Sequence, residues 1–169
     1  MAVFVGLDVH RAQITFDALD TDSGEVRTGK VRPGNRHALR LFLQGLDAAD
    51  LVGAVEAMTG WRFVVEELQR IGAEVHLAEP AEVSTRRDRK RRAKTDRLDA
   101  RLLRELLMER RLPEAWIPPS HLLDLRAKVR LRKTLVNQRT EWLQRIHAAL
   151  FHHGVAVEAG RLGRLEGFR

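Results

Sequence analysis

The sequence predicts an α/β domain with a mixed five-stranded sheet flanked by helices, followed by a long C-terminal helical arm. Short Val-rich runs come first, and their apolar residues repeat with a period of two. Longer segments with helical spacing then separate two further short runs and fill the second half of the chain. The 169 residues suffice for one compact domain and an appendage.

Three strands are predicted at the start of the chain. Val3–Val9 is a short apolar run typical of a buried strand, and Gln13–Leu19 alternates between apolar and polar residues. The turn-forming segment Asp20–Gly24 connects this second strand to a third near Glu25–Val31. Because the connections are short, these strands are expected to form an antiparallel meander.

Two strand–helix units follow the meander. Asn35 is a candidate N-cap for a first helix, and Leu51–Val55 is another apolar strand. A helix from about Gly60 to Ile71 and a fifth strand at Glu74–Ala78 complete the order βββαβαβ. Strands four and five are expected to add parallel to strand one through right-handed crossovers, which is the pattern of an RNase H-like (RuvC-like) fold.

Helical spacing dominates the remainder. Thr95 can cap a helix that runs to about Leu112, where Pro113 ends it. A second helix over Ser120–His153 has an apolar stripe that needs a partner, either as a coiled coil between two copies or by folding back near Lys133 or Asn137. The predicted organisation is a domain at 1–112, a helical arm at 113–153 and a tail at 154–169.

Charge is distributed unevenly along the chain. Residues 1–80 have 8 Lys and Arg against 12 Asp and Glu, whereas residues 81–169 have 22 against 11. Seven basic residues lie within the nine-residue segment Arg86–Lys94. A solvated charge run is one interpretation, and binding of nucleic acid phosphates is the other. The candidate nucleic-acid-binding residues are Arg86, Arg87, Arg89, Lys90, Arg91, Arg92 and Lys94.

Composition excludes several classes of protein. With no Cys, the chain has no disulfide, zinc–thiolate site or thiol nucleophile. No apolar run approaches the roughly 20 residues that span a bilayer, and no signal peptide is recognised. The sequence therefore predicts a soluble cytoplasmic protein with no membrane partner.

Four carboxylates are the candidate catalytic and metal-binding residues. Asp8 lies at the end of the first strand in GLDVH, and Glu56 follows the fourth in VEAMTGW. Asp96 and Asp99 lie one helical turn apart in KTDRLDA and point the same way. Since strands one and four are neighbours that end at the same edge of the predicted sheet, all four residues are expected to converge.

Convergence of like charges requires compensation. Close carboxylates raise one another's pKa, and Mg²⁺ or Mn²⁺ would remove this conflict because hard cations prefer oxygen ligands. Two such ions can support phosphodiester chemistry. Each acid taken singly is explained as well by a structural role, in a cap, an ion pair or a helix dipole.

These motifs resemble those of the DEDD transposases of the IS-one-ten insertion-sequence family. GLDVH, VEAMTGW, the stretch ending in KTDRLDA, and the later WIPP and HHG elements occur in the same order over residues 1 to about 155. The resemblance places the family's catalytic acids on Asp8, Glu56, Asp96 and Asp99. Trp61 departs from the family pattern, which more often has Tyr after the TG pair.

The resemblance implies the N-terminal catalytic domain of a bacterial transposase that cleaves and exchanges DNA strands, located with the nucleoid in a prokaryotic cytoplasm. It also implies a structured guide RNA and a serine-bearing second domain beyond residue 169, whereas a homo-oligomer formed through the arm is expected from the apolar stripe of its helix. None of Ser23, Ser84 and Ser120 lies in a recognisable nucleophile context. A stand-alone RuvC-like nuclease and a non-catalytic nucleic-acid-binding dimerisation module are the alternative hypotheses.

Overall fold

The chain divides into two compact units in the computed structural model, which describes residues 2–46, 50–85, 95–158 and 162. The first unit, Met1–Ile117, is here called the body, and the second, Pro118–Arg169, the arm. The predicted basic run at 86–94 lies outside the described residues, as does most of the predicted tail.

Five strands and five helices are described. In chain order they are β1 (Val3–Val9), β2 (Ile14–Asp20), β3 (Val26–Val31), α1 (Arg36–Gln44), β4 (Leu51–Glu56), α2 (Trp61–Arg70), β5 (Glu74–Ala78), α3 (Pro80–Thr85), α4 (Asp96–Met108) and α5 (Ser120–His152).

The sheet has the predicted mixed arrangement, with strand order β3-β2-β1-β4-β5. The β1–β2 and β2–β3 pairs are antiparallel, whereas β1–β4 and β4–β5 are parallel. The meander and the two parallel additions therefore confirm the RNase H-like fold that periodicity predicted. Among the described helices, none has the length and hydropathy needed to cross a membrane.

Helices cover both faces of this sheet. Gly6 of β1 approaches α4, whereas Gly53 of β4, which pairs with Val5, approaches Leu68 of α2. Because successive strand residues point to opposite faces, α4 and α2 lie on opposite sides. The larger apolar core lies on the α1–α2 side, and a smaller cluster around Ala54, Leu103 and Leu107 lies under α4.

Most helix ends follow the sequence signals. The Asn35 side chain accepts a hydrogen bond from the Ala38 backbone N–H, and Thr95 caps α4 in the same way. Helix α4, however, ends at Met108 and not near the predicted Leu112. Arg110 adopts a positive φ of 53° there, a C-terminal geometry that usually favours glycine and was therefore not foreseen. The short helix α3 was not predicted.

Residues 113–117 belong to the body. The Glu79 N–H donates to the Pro113 carbonyl at 2.8 Å, and the Ala115 N–H donates to Leu77 at 2.7 Å. This segment therefore lies along the outer edge of β5, where Ala78 and Glu114 form an antiparallel bridge.

The arm is dominated by α5, a helix of 33 residues without a break. This continuity is inconsistent with the alternative of two helices folded back near Lys133 or Asn137. None of the residues of α5 is buried, and eight of its large apolar side chains are exposed: Leu125, Val129, Leu131, Leu135, Val136, Trp142, Ile146 and Phe151.

Candidate metal centre

Asp8 and Glu56 lie on adjacent strands and on the same face of the sheet. The parallel pairing of β1 and β4 runs through Gly6 with Ala54 and Leu7 with Val55, so Asp8 and Glu56 occupy the next step. Both side chains point to the face covered by α4, because they follow Gly6 and Ala54 by two residues. Each is partly buried.

Helix α4 brings the other two acids to this face. An added Cβ on Gly6 would lie 2.0 Å from the Ala100 carbonyl oxygen, so only glycine permits this close approach of helix to strand. Asp96 and Asp99 are both in the first turn of α4. The close packing of α4 on β1 therefore places Asp96 and Asp99 beside β1.

A buried ion pair fixes the same helix to β2. Arg104 of α4 donates to the Asp17 carboxylate, and the two side chains are 8% and 2% exposed. Asp17 is the β2 partner of Gly6. The ion pair and the glycine contact thus act at one level of the sheet, two residues before Asp8.

Two of the predicted acids and a histidine form a close cluster of possible metal ligands. One ligand atom from each of Asp8, His10 and Asp96 lies within 4.8 Å of the others. His10 Nε2 is 3.1 Å from Asp8 Oδ2 and 3.5 Å from Asp96 Oδ1. Of the acids in the described chain, neither Glu56 nor Asp99 belongs to this closest group.

Electrostatics couple Asp99 to the group nevertheless. Burial raises the pKa of Asp8 above its ordinary value of 3.8, His10 opposes that rise, and the charges of Asp99 and Asp96 add to it. The Asp8 side chain is only 13% exposed. Burial and the two neighbouring acids therefore disfavour the ionised form of Asp8, and a bound cation would favour it.

Two polar residues that the sequence motifs do not indicate, Gln13 and Thr15, complete the surroundings of the acids. Gln13, just before β2, donates to Asp96 Oδ2 at 3.0 Å. Thr15 pairs with Asp8 across the β1–β2 ladder, and directly opposite residues share a face. The available signal was the polar half of the β2 alternation, positions 13, 15 and 17, which lies opposite the apolar half formed by Ile14, Phe16 and Ala18.

The residues present fit a hard divalent cation. Two carboxylates and one imidazole lie within 4.8 Å of one another, and ligands at about 2.0–2.6 Å from a single ion span such separations. The Thr15 hydroxyl is buried and has no hydrogen-bond partner within the described residues. A buried hydroxyl without a partner is rare, and water held by a cation beside Asp8 is one group that would satisfy it.

Comparison with known proteins gives a consistent family match. The family model described as "Transposase" for DEDD proteins of the IS110 (IS-one-ten) type matches residues 5–153. The Sinorhizobium fredii (strain NBRC 101917 / NGR234) protein named "Putative transposase y4rJ" is 32% identical over 195 residues. That alignment covers 99% of this chain and 47% of the relative, so the chain spans about half the relative's length.

Among solved structures, one similar chain is described as T. thermophilus RuvC in complex with a Holliday junction substrate. It is 10% identical with a TM-score of 0.44, and the match covers 68% of this chain and 100% of that one.

Proposed function

Because the chain belongs to the IS110-type DEDD transposase family, we propose that its body is the metal-dependent nuclease domain of a transposase. The proposed substrate is DNA, which the full-length protein would cleave and join during transposition. The observation that supports this most directly is the group of Asp8, His10 and Asp96, with Asp99 and Glu56 beside it.

Each acid has a distinct position in the proposed site. Asp8 is the central ligand, since it lies on the middle strand of the sheet and interacts with both acids of α4. Asp96 and Asp99 approach from α4, and Glu56 from β4. Bound Mg²⁺ or Mn²⁺ would supply a nucleophile and stabilise the leaving oxygen of a phosphodiester. The chain's own contribution is to hold four carboxylates around one place.

Nucleic acid binding is proposed for the basic segment 86–94 that immediately precedes α4 in sequence. Its residues Arg86, Arg87, Arg89, Lys90, Arg91, Arg92 and Lys94 would contact backbone phosphates, so binding would weaken steeply with salt. A structured guide RNA is proposed from the family alone. Self-association is proposed through α5, whose exposed apolar residues would be covered by a second copy.

Thermal unfolding with Mn²⁺ tests the metal site. The purified chain is expected to melt at a higher temperature as Mn²⁺ is added, because a ligand that binds only the folded state stabilises it. Asp8→Asn and Asp96→Asn are each expected to abolish this rise. Asp22→Asn, which changes an exposed acid in the β2–β3 turn, is the matched control and should leave the rise intact.

Two outcomes discriminate between the hypotheses. A rise that is lost in both site variants, together with Mn²⁺-dependent nicking of DNA, supports a nuclease domain. Absence of any rise in the wild type, with salt-dependent DNA binding retained, would replace it with the non-catalytic nucleic-acid-binding module.

A further inference from the structure

A series of hydrogen bonds beside the metal centre includes two residues, Gln13 and Arg32, that are not metal ligands in the proposed site. Gln13 joins Asp96 on one side to Arg32 on the other. Its Oε1 accepts from Arg32 Nε at 3.0 Å and from a terminal guanidinium nitrogen at 2.7 Å. Its Nε2 donates to Asp96 Oδ2 at 3.0 Å.

The chemistry of its two neighbours fixes the orientation of the Gln13 amide. A guanidinium can only donate and an ionised carboxylate can only accept, so the amide must turn its oxygen toward Arg32 and its nitrogen toward Asp96. In the reverse orientation, the amide nitrogen would face the Arg32 guanidinium, donor against donor, and the amide oxygen would face the Asp96 carboxylate, acceptor against acceptor. Arg32 therefore determines which end of Gln13 faces the acid, and no other orientation of the amide satisfies both neighbours.

Backbone contacts hold the segments that carry Gln13 and Arg32 against each other. The β1–β2 hairpin is closed by a 2.9 Å hydrogen bond from the His10 N–H to the Gln13 carbonyl. Gly34, two residues after Arg32, donates to the Ala12 carbonyl at 3.1 Å. A Cβ on Gly34 would lie 2.7 Å from both the Gln13 nitrogen and the His10 oxygen. The segment bearing Arg32 thus lies directly against the hairpin because residue 34 is glycine.

Asp96 needs such a contact. Its side chain is 39% exposed, so packing alone leaves several rotamers open to it. It is also the first residue of α4, where one carboxylate oxygen lies near His10 and the other receives the Gln13 amide.

We propose that Gln13, oriented by Arg32, is a positioning residue that holds the Asp96 carboxylate in its metal-binding orientation. This inference rests on the proposed metal site and adds a residue pair to it. Groups that orient a metal ligand in this way commonly change metal affinity 10- to 100-fold when they are removed.

Mn²⁺ binding by the purified full chain, measured by calorimetry, provides the test. Gln13→Met keeps the length of the side chain but removes both hydrogen-bonding groups, and it is expected to weaken Mn²⁺ binding by about 10-fold or more.

Arg32→Ala separates positioning from simple charge. Removing a cation beside a metal site should strengthen Mn²⁺ binding by electrostatics alone, whereas loss of the amide's orientation should weaken it. Arg11→Ala, an exposed arginine of the same hairpin, is the matched control for the charge effect. The proposal predicts weaker binding for Arg32→Ala and equal or stronger binding for Arg11→Ala.

The contrary results are distinct. Unchanged Mn²⁺ affinity in Gln13→Met, or equally strengthened binding in both arginine variants, would overturn the positioning role and leave the metal site standing. A wild-type chain that binds no Mn²⁺ would overturn the metal site and the positioning role together. Far-UV circular dichroism of each variant verifies that it is folded.

Discussion

The body and the arm use their apolar residues in opposite ways. In the body, side chains such as Val5, Leu7 and Leu68 are fully buried between the sheet and its helices. In the arm, α5 buries none of its apolar residues, and eight large ones are exposed, among them Leu135 at 56%. Burial in the body is completed within one chain, whereas the exposed apolar residues of α5 would be covered only by the proposed second copy. Substitutions of buried residues in the body should therefore lower its free energy of unfolding strongly. Substitutions of the exposed apolar residues of α5 should instead change self-association.

The largest effect is expected where α4 touches β1. Gly6→Ala would place a Cβ against the Ala100 carbonyl, and backbone atoms cannot yield as a flexible side chain does. We expect a loss of about 3 kcal/mol or more in the free energy of unfolding, measured by urea titration. Gly45→Ala, at an ordinary helical φ of −86°, should change it by less than about 0.5 kcal/mol. Similar losses in both variants would contradict the close packing of α4.

The next effect concerns a buried acid between α1 and α2. Glu67 is 1% exposed and accepts hydrogen bonds from Arg40 and Arg36, which lower its pKa to about 2. Glu67→Gln should cost roughly 2 kcal/mol at neutral pH because the buried side chain loses its charge-assisted hydrogen bonds to these two partly exposed arginines. Glu66→Gln, at a neighbouring carboxylate that is 35% exposed, should cost less than about 1 kcal/mol.

The pH dependence of this contribution has a definite sign. Since the pKa of Glu67 is depressed, its stabilisation is present above the ordinary value of 4.5 and is lost as pH falls toward about 2. Acid titration of stability should therefore be shallower in Glu67→Gln than in the wild type. An unchanged acid limb would mean that Glu67 makes no such contribution.

A smaller effect of opposite sign is expected at Asp8. Because its pKa is raised, folding is favoured below the ordinary 3.8 and this advantage is lost as pH rises through the raised value. Asp8→Asn should therefore stabilise the metal-free chain at pH 7, by less than Glu67→Gln destabilises it. Urea titrations with EDTA at pH 7 and near pH 4 test this, since the gain should shrink toward pH 4 and vanish below the ordinary value of 3.8.

The smallest effect on folding is expected in the arm. Leu135→Asp with Ile146→Asp should change the unfolding free energy of the body by less than about 0.5 kcal/mol, because both residues are exposed. The same pair should abolish self-association in sedimentation experiments at tens of micromolar. A wild-type monomer under those conditions would refute pairing through α5, and a large loss of body stability would refute the separation of the two units.

Local patterns were sufficient to predict the sheet. The alternation in β2 and the apolar runs of β1, β4 and β5 fixed strand type, and short connections fixed the meander. Two boundaries depended on information that patterns lack. Arg110 ends α4 in a conformation that its residue type does not signal. Residues 113–115 pair with β5 through backbone hydrogen bonds and a contact between Glu114 and His76, which no local pattern indicates.

For the candidate site, carboxylates at strand ends are visible in sequence, but their supporting contacts are not. Gln13 lies 83 residues from Asp96 in sequence, and nothing local indicates that the two meet. The position of His10 between Asp8 and Asp96 likewise depends on how closely α4 approaches β1. Such contacts follow from packing distances, which a single sequence does not supply.

The short segment along β5 determines how far the chain can be shortened without harm. A sheet has two outer strands whose unpaired backbone groups invite addition of strands from other molecules. At β3, the exposed Arg27 and Lys30 discourage such addition by charge. At β5, residues 113–115 occupy the backbone groups themselves. A chain cut after Leu112 would uncover that outer strand and become prone to aggregation, whereas one cut after Ile117 would keep it covered.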